Sequence, residues 1–488
     1  NENISGNIKA GGKMHHLSRE TDKNGNFARL AEVQWNQGAR DFLLENDINP
    51  DAALRLEDFR DPDYLEERGQ YFLGGNHEMV TVVDRGLMDT YIQLASPAWY
   101  PVFADTWKDD YNGTEELAAA YLMTELSFGT KWMLLGGVRY ESLQTDYHAN
   151  FTVQTQTETG YNLDTLNHAV RIHGHWFPNF QLRYKASDWF DVRFAYSKTI
   201  SRPDFSYFAP KKFIFEAKYG YTGNANLQPA ISQNLDLYTS FHHKYIGLFT
   251  AGGFYKRMSD VFYPAARLAE NLPEEVGWPE QGESGIPRTE VSAQISTFMN
   301  NPYPAIVKGI ELDWQTNFWY LPKPLNALVF NINYTRAFSE MDYQESRLYE
   351  YLEPNPIPGR PPIKRFAEVD TFRTARLLHQ GDHIINIVLG VDIGGFAGRI
   401  SFRMQDDVIT AVGNRPEEDQ FSEKYMSWDL SLKQRLPLKG LSLFFNAVNL
   451  FHASENSYRL FGPDFETHNN AYKSYNPRLF QFGIRYEL

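Results

Sequence analysis

His173 and His175 stand two residues apart with Arg171 before them, and an extended chain puts all three on one face because strand side chains alternate with period two. Two imidazoles at i and i+2 can hold a transition-metal ion between neutral ring nitrogens. The plainer reading is a row of solvated side chains on a wet wall, and it assigns no metal. The same alternation turns Arg139, Glu141, Arg183 and Arg193 inward as a mixed-charge wall that can contact either a plugging segment or a substrate. Asp22-Lys23-Asn24-Gly25-Asn26 resembles the opening of a calcium loop, but the distal glutamate is missing and a polar turn is expected. No nucleophile elbow, phosphate loop or zinc signature occurs, and there are no cysteines for thiolate chemistry. The residues therefore point to a binding wall rather than an enzyme, with no cofactor. A formal charge of -14 argues against nucleic acid as a partner.

Strands must position those residues. At the C-terminus Phe480, Phe482, Ile484, Tyr486 and Leu488 alternate with Gln481, Gly483, Arg485 and Glu487, one apolar face against one polar face. Phe190, Val192, Phe194 and Tyr196 alternate likewise with Asp191, Arg193, Ala195 and Ser197. Leu328, Phe330, Ile332 and Tyr334 do so with Val329, Asn331, Asn333 and Thr335, and Trp428, Leu430 and Leu432 with Asp429, Ser431 and Lys433. Burying Arg193 in a dry sandwich would be costly, whereas a watery lumen accepts it. About fourteen such segments make an all-β chain, read as a transmembrane antiparallel β-barrel. Short turns lie near Gly129-Thr130, Ala186-Ser187-Asp188, His243-Lys244, Pro322-Lys323-Pro324, Gly394-Gly395 and Pro437-Leu438-Lys439. They alternate with long polar connections at about 22–114, 145–168, 201–228, 262–300, 340–375, 408–425 and 454–474, the pattern of short periplasmic turns and long extracellular loops. Within 22–114, apolar spacing from Phe42 to Leu56 and from His77 to Leu94 predicts short helices.

Composition agrees with a barrel. Aromatic residues are 15% of the chain, with 29 Tyr and 35 Phe, enough for two interfacial girdles. The doublets Trp176-Phe177 and Trp189-Phe190 and the triplet Phe318-Trp319-Tyr320 are expected near strand ends. A mean hydropathy of -0.49 is compatible, since half of each spanning strand faces water. No apolar run is long enough for a spanning helix.

Several stretches resemble TonB-dependent outer-membrane receptors. Glu115-Glu116-Leu117-Ala118-Ala119-Ala120-Tyr121 and Gly137-Val138-Arg139-Tyr140-Glu141 are similar to the family's pattern. Ser201-Arg202-Pro203-Asp204 followed by Gly223-Asn224-Ala225-Asn226-Leu227-Gln228-Pro229 resembles its "sRPd…GNPxLxP" element, with Ala225 where proline is common. Lys308-Gly309-Ile310-Glu311-Leu312 and Val448-Asn449-Leu450-Phe451 continue the series in order. The tail, with Gln481, Gly483, Tyr486 and Leu488, resembles the C-terminal assembly signal that the barrel assembly machinery reads. The family motif residues are thus Arg202, Pro203, Gly223, Asn224, Leu227 and Pro229.

The resemblance implies an outer-membrane protein of a Gram-negative bacterium that imports a scarce ligand (siderophore, oligosaccharide or peptide) with energy transduced by TonB. Arg139, Glu141, Arg171, His173, His175, Arg183 and Arg193 are its expected lumenal substrate contacts. Family barrels have 22 strands and an N-terminal plug. Residues 1–488 are therefore expected to be the C-terminal part of such a barrel, about fourteen of the 22 strands, with the plug and TonB contact in a region this sequence lacks and a native chain several hundred residues longer. Partners implied are TonB, outer-membrane lipid, the assembly machinery and a possible surface lipoprotein. Two other readings stay open: a passive diffusion porin, and a receptor-like scaffold of an outer-membrane complex.

Overall fold

The computed structural model describes residues 4–22, 37–52, 54–61, 71–72, 77–78, 82–95, 109–154, 160–215, 219–269, 293–354, 360–413, 418–438, 440–461 and 467–486. Fourteen long strands carry the wall. They are β1 Ile4–Thr21, β2 Tyr111–Phe128, β3 Trp132–Gln154, β4 Gly160–Ser187, β5 Phe190–Ser201, β6 Ala230–His243 and β7 Gly247–Ser259. The second seven are β8 Ala305–Asn317, β9 Leu328–Glu353, β10 His383–Ile393, β11 Phe396–Gln405, β12 Tyr425–Arg435, β13 Leu441–Val448 and β14 Leu479–Tyr486. Each pairs antiparallel with the next in chain order. The six short turns fall where turn residues predict them, with Lys439 of the last lying outside the described residues. Gly394 and Gly395 both have positive φ, which lets a two-residue turn join β10 to β11. Among the described residues β1 pairs only with β2, and β14 only with β13.

Register sorts the side chains into a dry face and a wet one. On β3 and β4 the rungs Trp132↔Tyr184, Leu134↔Leu182, Gly136↔Phe180, Val138↔Pro178 and Tyr140↔Trp176 share the outer face. The Trp132 and Tyr184 rings stack at 4.1 Å and those of Tyr140 and Trp176 lie 4.8 Å apart, closing the band at both ends with aromatic pairs. Eight residues separate the two pairs, about 26 Å of strand, which the usual tilt shortens to about 20 Å of membrane. The band continues through Phe194, Leu237, Tyr255, Ile310, Phe338 and Leu389 to Phe482, Ile484 and Tyr486, all solvent-accessible on the sheet. Near the short turns Trp319 Nε1 donates to Lys244 O (3.0 Å) and Trp314 Nε1 to Ile246 O (2.7 Å), fixing the lower girdle. Trp176-Phe177 departs from expectation. It lies inside β4, because β4 runs on past the membrane, and so marks the upper interface rather than a strand end.

That overshoot also corrects two of the expected loops, and the connection expected at 454–474 is likewise mostly ladder, Ser454–Phe461 pairing with Thr467–Tyr475. β3 has 23 residues, β4 28 and β9 26, against the roughly 9–11 that cross hydrocarbon. The connections expected at 145–168 and 340–375 are mostly ladder: β3 and β4 pair out to Gln154↔Gly160, and β9 pairs with Ile363–Ala375 out to Glu353↔Ile363. Alternating Tyr147, Ala149 and Phe151, and Met341 with Tyr343, bury one face there. Asp146 and His148 in the first stretch and Asp342 in the second alternate with them on the other face.

The first connection folds a satellite unit. Helices α1 Gln37–Glu45 and α2 Arg85–Ala95 and the single turn Leu56–Phe59 bury Ala39, Leu43, Ile48, Phe59 and Tyr91 together. The helix expected to begin at His77 begins at Arg85 instead. His77–Glu78 is a short strand against Tyr71–Phe72, while Met79 and Val80 lie outside the described residues, as do Lys23 to Asn26 and Leu488. Just past β13, Asn449 adopts φ 57 and ties β12 to the segments on either side of the last hairpin. Its N–H donates to Asp429 Oδ1 (2.9 Å), and its Nδ2 donates to Asn476 O (2.8 Å) and Ala453 O (3.3 Å).

Candidate functional site

The connection from β5 to β6, residues 202–229, turns inward and closes the upper lumen against β3 and β4. Asp204 Oδ1 accepts from Ser206 N (2.8 Å) and starts the one-turn helix Phe205–Phe208. Its rings pack on Tyr111 and Tyr147, at 5.5 Å for Phe205–Tyr111 and 5.1 Å for Phe208–Tyr147. The Arg19 guanidinium lies 4.0 Å over the Phe205 ring, and Glu115, which accepts from Tyr147 Oη (2.7 Å), sits beside Arg19 at 3.9 Å.

The motif residues explain how this loop stays put. Arg202 Nη2 donates to Glu141 Oε2 (2.6 Å) while Arg139 Nε donates to Glu141 Oε1 (2.7 Å), so one carboxylate on β3 holds the loop's first turn and a neighbouring cation. At the loop's far end Arg171 Nη2 donates to Asn226 Oδ1 (3.0 Å) and Nη1 to Leu227 O (3.2 Å). Gly223 N donates to Lys211 O and Asn224 N to Tyr207 O, and a Cβ on Gly223 would sit 1.8 Å from Ala209 O, so only glycine fits. Asn224 Oδ1 accepts from Asn226 N (2.9 Å), and its Nδ2 donates to Phe298 O (2.8 Å). Leu227 is buried, and Pro203 and Pro229 line the space beneath.

That space is a cavity of about 380 Å³. The structure brings Arg171, His173, His175, Arg202, Pro203, Leu227 and Pro229 to its lining, with Glu115, Thr145 and Phe205 from outside the sequence-derived set. Most of the charges are already engaged. His173 and His175 are the exceptions: their rings lie 6.3 Å apart, and among the described residues neither makes a hydrogen bond. Arg171 and Arg202 flank them, and two fixed cations oppose a metal ion there, so this pair suits an acceptor or anionic ligand better.

Alternation sets the face of a residue but not its depth, and the expected contact set divides accordingly. Arg183 and Arg193 face each other across the β4–β5 ladder, eight or more residues nearer the short turns than His175. They line a separate lumenal hollow of about 540 Å³ with Gln181, Asp236 and Tyr238. Arg193 Nε is held by Asp191 Oδ1 (2.9 Å), whose other oxygen meets His242 Nε2 at 3.0 Å. Tyr238 lies across Gly252 and donates to Glu311 of the Lys308–Leu312 motif. In the tail, Phe444 packs against Gly483, and the pairs Gly483↔Phe444 and Gln481↔Asn446 put Gln481 on the inner face. Glu115, Arg19 and Tyr147 escaped the sequence reading. Glu115 lies within the first recognised motif, yet its role follows from a loop trajectory that alternation does not encode.

Residues 7–450 match the family described as TonB dependent receptor-like, beta-barrel, and the chain belongs to that family. It is a β-barrel protein of the Gram-negative outer membrane, in a family of transport receptors that work with TonB. Comparison with curated proteins gives no match. Among solved structures, the chain is similar to a double mutant of the Serratia marcescens hemophore receptor HasR, in complex with its hemophore HasA and heme. The identity is 13%, with 77% of this chain and 51% of that one covered and a TM-score of 0.48. It is also similar to the ferric-catecholate import receptor Fiu of E. coli K12, at 14%, 78%, 45% and 0.45, and to the ferric yersiniabactin uptake receptor FyuA of Yersinia pestis, at 12%, 77%, 46% and 0.45. The chain spans about half the length of these structures.

Proposed function

We propose that this chain forms the wall and outer entrance of an active importer that captures a scarce ligand in the upper lumenal cavity and releases it to the periplasm with TonB-transduced energy. The observation that carries the reading is the pair His173 and His175, two imidazoles that make no hydrogen bond among the described residues in a cavity whose other charges are engaged. A siderophore, an acidic oligosaccharide or a peptide offers the acceptor groups such a pair recognises. Energy and gating would come from a plug and TonB contact outside residues 1–488, and further strands would close the wall between β1 and β14 toward 22. The C-terminal strand would be read by the barrel assembly machinery, and the extracellular hairpins offer a surface for a lipoprotein or complex partner. The test is a binding and uptake screen of siderophores, oligosaccharides, peptides and cobalamin, with native protein and with His173→Ala/His175→Ala. One ligand class should bind, lose affinity at least about tenfold in the variant, and enter only while the proton-motive force is intact. Uptake that persists after that force is collapsed would instead support a passive channel.

A further inference from the structure

The outer face of the β3–β4 hairpin carries a second set of imidazoles, well away from the cavity. His148 on β3 stands directly opposite His168 on β4, and Asp146, two residues before His148, points to the same side. The two rings stack at 4.1 Å with planes 1° apart. Asp146 Oδ1 lies 2.8 Å from His168 Nε2 and 3.4 Å from His148 Nε2, and one ligand atom from each residue falls within 4.8 Å of the others. Between a third and a half of each side chain is open to solvent.

We propose that Asp146, His148 and His168 form a divalent transition-metal site that pins this extracellular hairpin. Two imidazoles and one carboxylate suit Zn²⁺, Ni²⁺ or Cu²⁺ and leave coordination positions for water. Binding replaces the Asp146–His168 hydrogen bond and turns the two rings out of their parallel stack, so that both Nε2 lone pairs converge on one ion while each ring keeps its proton on Nδ1. Position supports a structural role. Tyr140 marks the upper girdle, and His148 lies eight residues beyond it, about 26 Å further along the strand and clear of hydrocarbon. The ladder is regular up to Ala149↔Asn167 and then slips, so that Phe151 pairs with Leu163. A clip on the His148↔His168 rung therefore holds the ladder one step before its last regular rung, next to a bulge where register is least secured. The opposite face of the same strands carries Thr145 and Arg171 of the cavity, so the clip also steadies one wall of the binding site.

The test uses the tag-free full chain in detergent, stripped of metal and titrated with Zn²⁺ by calorimetry, then with Co²⁺ to read the ligand-field spectrum. One ion per chain is expected. Asp146→Asn, His148→Ala and His168→Ala should each weaken binding at least about tenfold. His173→Ala/His175→Ala, on the inner face, should leave it unchanged. Hydrogen exchange of the 146–170 hairpin should slow on Zn²⁺ addition in the native chain and not in His148→Ala/His168→Ala. Absence of saturable binding, or binding that survives the double outer-face substitution, would overturn the site. Loss with the inner-face pair instead would move the metal to the cavity and overturn it equally. Failure of ligand uptake leaves these readouts untouched.

Discussion

Replacing Glu141 with Ala should free the loop at 202–229 without disturbing the wall. Among the described residues Glu141 is the only carboxylate bonded to both Arg202 and Arg139, at 2.6 and 2.7 Å, and its own side chain is only 12% exposed. Deleting one partner of a fully buried pair costs about 3–5 kcal/mol. Here the arginines keep 34% and 31% exposure, so water recovers much of the loss and about 1–2 kcal/mol remains for the loop. At about 1.4 kcal/mol per factor of ten, local opening should rise about 5–30-fold. Hydrogen exchange reads this directly at Gly223, Asn224 and Leu227, whose N–H groups bond Lys211 O, Tyr207 O and Asn224 O inside the loop. Leu450, bonded to Trp428 O in the far wall, serves as the reference and should not change. Pairing Glu141→Ala with Arg202→Ala should give a coupling energy near 1 kcal/mol. Unchanged exchange at the three loop amides, equal acceleration at Leu450, or strict additivity of the two substitutions would each refute the clamp.

Gly223→Ala puts a methyl carbon against the Ala209 carbonyl. An overpacking cost of about 1–3 kcal/mol should show as faster limited proteolysis within 202–229, while cleavage at native rate would dismiss the steric account. Burial pushes the Tyr91 phenol up to about 12, whereas an unfolded tyrosine ionises near 10. Between those values the unfolded state binds fewer protons than the folded one, so the α1–α2 unit should lose stability as pH rises through that window. Tyr91→Phe should flatten the slope, read by circular dichroism of the helices across pH 9 to about 12. The absence of native cysteine allows single-cysteine scanning of β4. Asn179→Cys and Gln181→Cys should label with a membrane-impermeant thiol reagent, and Phe180→Cys and Leu182→Cys should resist it and be quenched from the lipid phase. Loss of this odd–even contrast would remove the wet-inside, oily-outside wall.

How much was legible follows from what period two can and cannot encode. Parity alone places Arg139, Glu141, Arg171, His173 and His175 on one face, and turn residues alone place all six short turns, because both are local properties. Parity says nothing of height. Arg183 and Arg193 therefore joined the expected set although they sit in a different hollow, and Trp176 was expected at a strand end that lies eleven residues further on, at Ser187. Polar composition misled in the same way. A hairpin standing in water has one wet face just as a loop does, so polar composition alone makes 145–168 and 340–375 resemble loops, although Tyr147 and Phe151 in the first and Tyr343 in the second are buried on the other face. The non-local links were beyond reach. Glu141 meets Arg202 across 61 residues, and Arg171 meets Asn226 across 55, only because the loop returns over the strands. His148 opposes His168 only through a register that is fixed by every rung below it. A ladder converts sequence separation into contact through accumulated pairing, so one slipped residue in β3 would turn Asp146 and His148 inward, away from His168, and carry Thr145 out of the cavity wall. The apolar band is what forbids that slip: it would point Trp132, Leu134, Val138 and Tyr140 into the wet lumen, and the membrane that sets the strand faces thereby also sets the chemistry above it.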